Sequence, residues 1–121
     1  MRSERLKGHL DLLLLSVLSG GPGHGYEVIT RLRDRSDGAF ELPEVTVYPA
    51  LHRLEEAGLL ASAWDIVSGR RRRTYRLTVA GEAALAEQSQ QWSEFSGSVA
   101  RVLGTPAAVS PRRPALPGLT A

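Results

Sequence analysis

Apolar side chains fall at positions 6, 10, 13, 14, 17 and 18 of the chain. Steps of three and four place them on one face of a first helix, and the stretch Ser19-Gly20-Gly21-Pro22-Gly23 ends it. A second helix is expected from about His24 to Arg35, with Tyr26, Ile29 and Leu32 inward and Glu27, Arg31 and Asp34 outward; Ser36-Asp37-Gly38 breaks it. Residues 39–42 alternate over a short span and read as a small strand. A third helix follows Pro43, with Val47, Leu51 and Leu54 inward and Leu59 beyond a stop at Gly58. Pro49 sets its start within residues 44–48, because a missing N–H costs least in the first turn.

Two alternating runs come next, Leu60 to Ile66 and Thr74 to Thr78, joined by a polar stretch that contains Gly69. Together they predict a β-hairpin, with Leu60, Ser62, Trp64 and Ile66 on one face of the first strand and Tyr75 and Leu77 on one face of the second. Thr78 suits a helix N-cap, and Glu82 lies where the amino end of a helix favours negative charge. The helix so opened carries Leu85, Trp92 and Val99 at seven-residue steps, with Phe95 and Val102 beside them and Gln88 as the polar member of the seam. After Gly104 prolines replace the periodicity, as expected of a disordered tail. The expected organisation is mainly α with a small β-hairpin: a winged helix-turn-helix over 1–79, a dimerisation helix over 80–103 and a Pro-rich tail over 104–121.

In that architecture the third helix enters the major groove of DNA and the hairpin wing touches the flanking backbone or minor groove. Thr46, Tyr48, His52 and Arg53 form the outer side of the third helix, backed by the apolar set. For Tyr48 a half-buried core position and a phosphate or base contact are both open, and His52 and Arg53 could equally face solvent. Charge sharpens the picture. The net charge is +2, but residues 61–79 hold five arginines against one aspartate, while 1–60 hold seven Lys/Arg against nine Asp/Glu. Arg70, Arg71, Arg72 and Arg73 are consecutive. Such a run is often a solvated turn, but here it tips a hairpin beside a helix with groove-reading chemistry. Phosphate neutralisation and counterion release need that kind of cation cluster.

Composition removes other classes. The 121 residues contain no cysteine, which excludes a disulfide framework, thiolate metal sites and a thiol nucleophile, and fits a reducing cytoplasm. The longest leucine run is far short of a bilayer span, so no membrane partner is expected, and Glu4 and Asp11 interrupt any signal-peptide pattern. Gly20-Gly21-Pro22-Gly23-His24-Gly25 follows a helix and matches neither nucleotide-binding glycine pattern. The three histidines lack ligand spacing and no serine sits in a nucleophile-elbow sequence, so neither a metal, a cofactor nor catalysis is expected.

Four stretches resemble the PadR family of transcriptional regulators: residues 6–18, His24-Gly25-Tyr26-Glu27, residues 46–60, which begin Thr46-Val47-Tyr48-Pro49-Ala50-Leu51, and residues 71–81. The Tyr-Pro-Ala-Leu segment and the Arg-Arg-Thr-Tyr-Arg-Leu-Thr segment together carry the likeness. The family has a glycine just before the threonine of the third helix, and Val45 stands there. The resemblance implies a cytoplasmic homodimer that represses transcription from a palindromic operator. It also implies that Thr46, Tyr48 and Pro49 begin the recognition helix, that Arg70 to Arg73 form the wing, and that the short C-terminal helix dimerises.

The seam of Leu85, Trp92, Phe95, Val99 and Val102 must be covered either by its own domain or by a second copy. The first helix is expected to add the leucines its inner face leaves over. In small members of the family, tryptophans of the dimer helices sandwich planar aromatic drugs. Trp92 and Phe95 could hold such an effector, or could be plain interface aromatics. A winged-helix module that binds protein instead of DNA is the rival reading; it calls for a neutral wing and an exposed apolar groove.

Overall fold

A computed structural model describes residues 8–105. Four helices and three strands occur among them: α1 (Leu10–Leu18), β1 (Gly23–His24), α2 (Gly25–Arg35), α3 (Glu44–Glu56), β2 (Leu60–Val67), β3 (Arg70–Leu77) and α4 (Val79–Leu103). The chain divides into two units, the first reaching Glu87 and the second starting at Gln88. Leu6, Arg112, Arg113 and nearly all of the expected tail, from 106 onward, lie outside the described residues.

In the first unit α1, α2 and α3 enclose a core around Leu14, Leu15, Val28, Val47, Leu51 and Leu54, all essentially without solvent exposure. Leu60 and Tyr75 close it from the sheet. Leu15, outside the expected inner face of α1, is thus part of the core, while Leu10, Leu12 and Leu13 stay half-buried. In α2 the buried stripe is Gly25, Val28 and Leu32, and Tyr26 points outward with 56% of its surface exposed. Of the expected Tyr26-Ile29-Leu32 stripe, Leu32 is buried and Ile29 packs against the core, while Tyr26 is displaced because Gly25 has to face α3.

His24 caps α2 reciprocally: its Nδ1 accepts from the Glu27 N–H (3.3 Å) and Glu27 Oε1 accepts from the His24 N–H (3.0 Å). This is the capping-box arrangement with histidine in the usual Ser/Thr position. Arg31 locks the preceding turn, donating to the carbonyls of Gly21 and Pro22 at 2.9 Å each.

The strand expected at 39–42 does not form. The sheet is antiparallel in the order β1-β3-β2, and Gly23–His24 pair with Tyr75 and Thr74, so the edge of β3 at the base of the wing is already taken. Leu42 still reaches the core and Phe40 packs against it, while the Phe40 N–H donates to Ser36 Oγ at 2.9 Å.

The wing also differs from expectation. Its turn is only Ser68-Gly69, with φ of 52° and 78°, the left-handed pair whose twist matches antiparallel strands. Arg70 therefore pairs with Val67, Arg71 with Ile66, Arg72 with Asp65 and Arg73 with Trp64. The arginines are strand residues that alternate between two faces rather than a loop at the tip.

Thr78 caps α4 as expected, its Oγ1 accepting from the Gly81 N–H (3.0 Å) and donating to the Gly58 carbonyl (2.7 Å). α3 ends in left-handed Gly58, with the Leu59 N–H bonded to the Leu54 carbonyl and the Gly58 N–H to that of Glu55, the Schellman closure. Ala84 and Leu85 pack against the core of the first unit. In the second unit α4 continues to Leu103 and closes in the same way at Gly104.

Candidate nucleic-acid interface

Helix α3 starts at the early edge of the expected range. The Pro43 carbonyl accepts from the N–H groups of Thr46 (3.0 Å) and Val47 (3.2 Å). Pro49 therefore lies inside the helix, past its first turn, and can offer no N–H to the Val45 carbonyl. Val47, Ala50, Leu51 and Leu54 are buried, which turns Val45, Pro49, His52 and Arg53 to solvent and leaves Thr46 and Tyr48 half-buried.

The ring of Tyr48 lies against Gly25, so closely that a Cβ there would overlap ring atom Cε1. This contact fixes the start of α2 against the middle of α3. Burial raises the pKa of the Tyr48 phenol above its ordinary value, Glu44 adds to the rise and Arg72 opposes it. The hydroxyl is a neutral donor over the whole physiological range.

On the wing, Trp64, Arg71, Arg73 and Tyr75 share the face that turns toward α3. The guanidinium carbon of Arg71 is 4.6 Å from the Trp64 ring centre and that of Arg73 is 5.4 Å away, both within cation–π range. Arg73 also donates from Nε to Ser62 Oγ (2.8 Å) and pairs with Glu55 at 3.7 Å, and Ser62 donates to Glu55 at 2.7 Å. Arg73 thus ties the wing to the carboxyl half of α3.

Between α3, the start of α2 and the wing lies a cleft of about 250 Å³. Arg71, Arg72 and Arg73 form one wall, Tyr48 and His52 another, and Trp64, Tyr75, His24 and Gly25 complete it. No carboxylate is among these residues, so the cleft suits an anion.

Of the expected DNA contacts, the structure brings Tyr48, His52 and Arg71 to Arg73 around this one cleft. Thr46 and Pro49 lie on α3 outside it, and Arg70 is exposed beside the hairpin turn. Arg53 is engaged elsewhere: Asp11 on α1 accepts from its two terminal nitrogens at 2.7 and 3.1 Å. The sequence did not single out Trp64, Tyr75, His24 or Gly25 as contacts. The readable signal was a tryptophan on a strand face opposite alternating arginines, visible only once the two-residue turn fixes the register.

In the second unit Trp92, Phe95, Val99 and Val102 are exposed; the Trp92 and Phe95 rings are tilted with centres 6.2 Å apart. No group of His, Cys, Asp or Glu that could hold a metal occurs among the described residues, and no helix there is long and apolar enough to cross a membrane.

Three helices around one core, with one face of α3 open to solvent and a cationic two-stranded wing beside it, define a winged-helix protein of the DNA-binding transcription-regulator class. Residues 14–87 match the Transcriptional regulator PadR-like family. A PadR family transcriptional regulator from Eggerthella lenta is 36% identical and superposes with a TM-score of 0.73 over 84% of this chain and 88% of that one. The PadR-like transcriptional regulator of Bacillus cereus is 30% identical, with a TM-score of 0.73 over 84% and 97%. Transcriptional regulator Rv3488 of Mycobacterium tuberculosis is 52% identical over 54 residues, which are 45% of this chain and 50% of that protein. The chain belongs to the PadR-like family and is a transcriptional regulator, not an enzyme.

Proposed function

We propose that the protein acts in the cytoplasm as a homodimeric repressor of a palindromic operator, with α3 in the major groove and the wing on the adjoining backbone. The observation that supports this reading is the carboxylate-free cleft in which α3 and three wing arginines meet. Residues 1–79 bind DNA through Thr46, Tyr48, Pro49, His52 and Arg70 to Arg73, with Arg53 in reach when released from Asp11. Residues 80–103 dimerise through Trp92, Phe95, Val99 and Val102, with Leu85 at the base of the seam. Two-fold symmetry in the protein matches two-fold symmetry in the operator. The Trp92–Phe95 pair is the seat of a planar aromatic effector.

The test is binding to a labelled duplex of the protein's own promoter region against non-promoter competitor, for wild type and a variant with Arg70 to Arg73 changed to alanine. Two-fold-symmetric protection is expected, with a shallower dependence on salt in the variant, by about 0.9 in log–log slope for each phosphate that is no longer neutralised. Salt-independent binding to another protein, with no duplex bound in a genomic selection, would favour the protein-module alternative. For the effector, tryptophan emission should change with flat aromatic compounds when Trp64 is replaced to remove its background; no response across a broad panel rejects it.

A further inference from the structure

We infer that Trp64 is a positioning residue that aims the wing at the DNA backbone: it holds Arg71 so that its donors, with Arg72 and the Tyr48 hydroxyl, seat one duplex phosphate in the cleft beside α3. The inference rests on the DNA-binding reading and adds a residue and a contact to it.

An indole that is 55% exposed on a strand adds little to the core, and the core cluster does not include it. What it touches is charge. Arg73 stands directly across from it and Arg71 two residues nearer the turn on the same face, both on its ring. The two cations then have different work. Arg73 is neutralised by Glu55 and braced by Ser62, so it acts as a strut. Arg71 has no carboxylate partner among the described residues, and its charge is left for an outside anion.

Stacking uses the face of a guanidinium and leaves its in-plane N–H groups free. Those groups form the fork that matches two phosphate oxygens. A long arginine ordered on a ring before binding also loses less freedom when the phosphate arrives. Arg72 reaches the same cleft just past the last residue of β1, where β3 has an open edge. Tyr48, kept protonated, offers its hydroxyl from the opposite wall. Two unpaired guanidiniums, one neutral phenol and no carboxylate fit a phosphodiester, whose charge is single and whose two free oxygens both accept.

The experiment is equilibrium binding of one labelled duplex to full-length wild type, Trp64→Ala, Trp64→Phe, Arg71→Ala and the Trp64→Ala/Arg71→Ala double variant, each checked for an unchanged melting curve. Trp64→Ala alters no charge, yet binding should weaken by about two- to fivefold, the scale of the partly exposed Arg71 cation–π contact. Phenylalanine should restore most of that. In the Arg71→Ala background the loss of the indole should cost almost nothing more, because the two act as one unit. Arg71→Ala alone should lower the salt slope by about 0.9.

Wild-type-like binding by Trp64→Ala, or an equal loss with and without Arg71, overturns the assignment while leaving DNA binding intact. Absence of any duplex binding by wild type at low salt overturns both readings. Selective displacement of the duplex by inorganic phosphate, relative to chloride at equal ionic strength, would assign the seat to free phosphate and overturn its assignment to the DNA backbone.

Discussion

Gly25 and Tyr48 are in direct contact across the junction of α2 and α3, with no room for a Cβ at position 25. The glycine is required by the neighbouring ring, and the ring is placed by the glycine. Gly25→Ala should therefore destabilise the fold by about 1–3 kcal/mol, the scale of forced overpacking, and should move Tyr48 out of the cleft. Urea unfolding measures the first effect. In a Tyr48→Ala background the same substitution should cost far less; an equal cost in both backgrounds would place the strain elsewhere.

The three helices, the hairpin, the stop at Gly58 and the cap at Thr78 were legible in the sequence because they depend on local rules; the short β1 and the histidine cap of α2 were not, and the strand expected at 39–42 gave way to β1. Periodicity found the core of α3, where Val47, Leu51 and Leu54 are spaced for one face. In α2 it found Ile29 and Leu32 but misplaced Tyr26, since a glycine that must face a ring carries no hydrophobic signal and Tyr26 does. The site was legible as composition but not as geometry. Four arginines in a row show charge; only the register set by Ser68 and Gly69 shows that they alternate between faces. The partners of Arg53 and Arg73, Asp11 and Glu55, come from other elements, and sequence spacing does not reveal such pairings.

Arg53, expected as a DNA contact from its place on α3, is held in the free protein by a bidentate bond to Asp11. The bond is also the main cause of its raised pKa. Both groups are partly exposed, so Arg53→Ala should cost no more than about 1 kcal/mol of stability. It should leave the salt slope of duplex binding close to wild type, unlike Arg71→Ala. A drop near a full phosphate equivalent in the slope would show that Arg53 leaves Asp11 when DNA binds.

Burial is the main reason the Tyr75 phenol has a raised pKa; Glu55 adds to the rise and Arg73 opposes it. The folded state thus favours the protonated phenol. Below the ordinary value near pH 10 both states keep the proton and this preference costs nothing. As pH rises past that value the unfolded chain ionises first, and stability falls until the folded-state value is passed. Tyr75→Phe should flatten that alkaline limb, leaving the share that Tyr48, also raised mainly by burial, adds. Chemical denaturation on both sides of pH 10 measures it, and an unchanged limb in Tyr75→Phe would assign the loss to other groups.

Phe95 is 59% exposed and Val102 86% exposed on one helix with Trp92 and Val99. A row of apolar side chains at such spacing is costly to leave in water and is the patch an isologous interface uses twice. Because Phe95 is not in the buried core, Phe95→Glu should leave melting of the winged unit intact while placing two carboxylates against each other at the two-fold axis. On the proposed dimer, sedimentation equilibrium should then report a monomer for the variant and a dimer for wild type. Binding to a single half-site should change little while binding to the full palindrome weakens sharply, since the second wing no longer arrives with the first. A variant that still sediments as a dimer would move the interface off this face of α4.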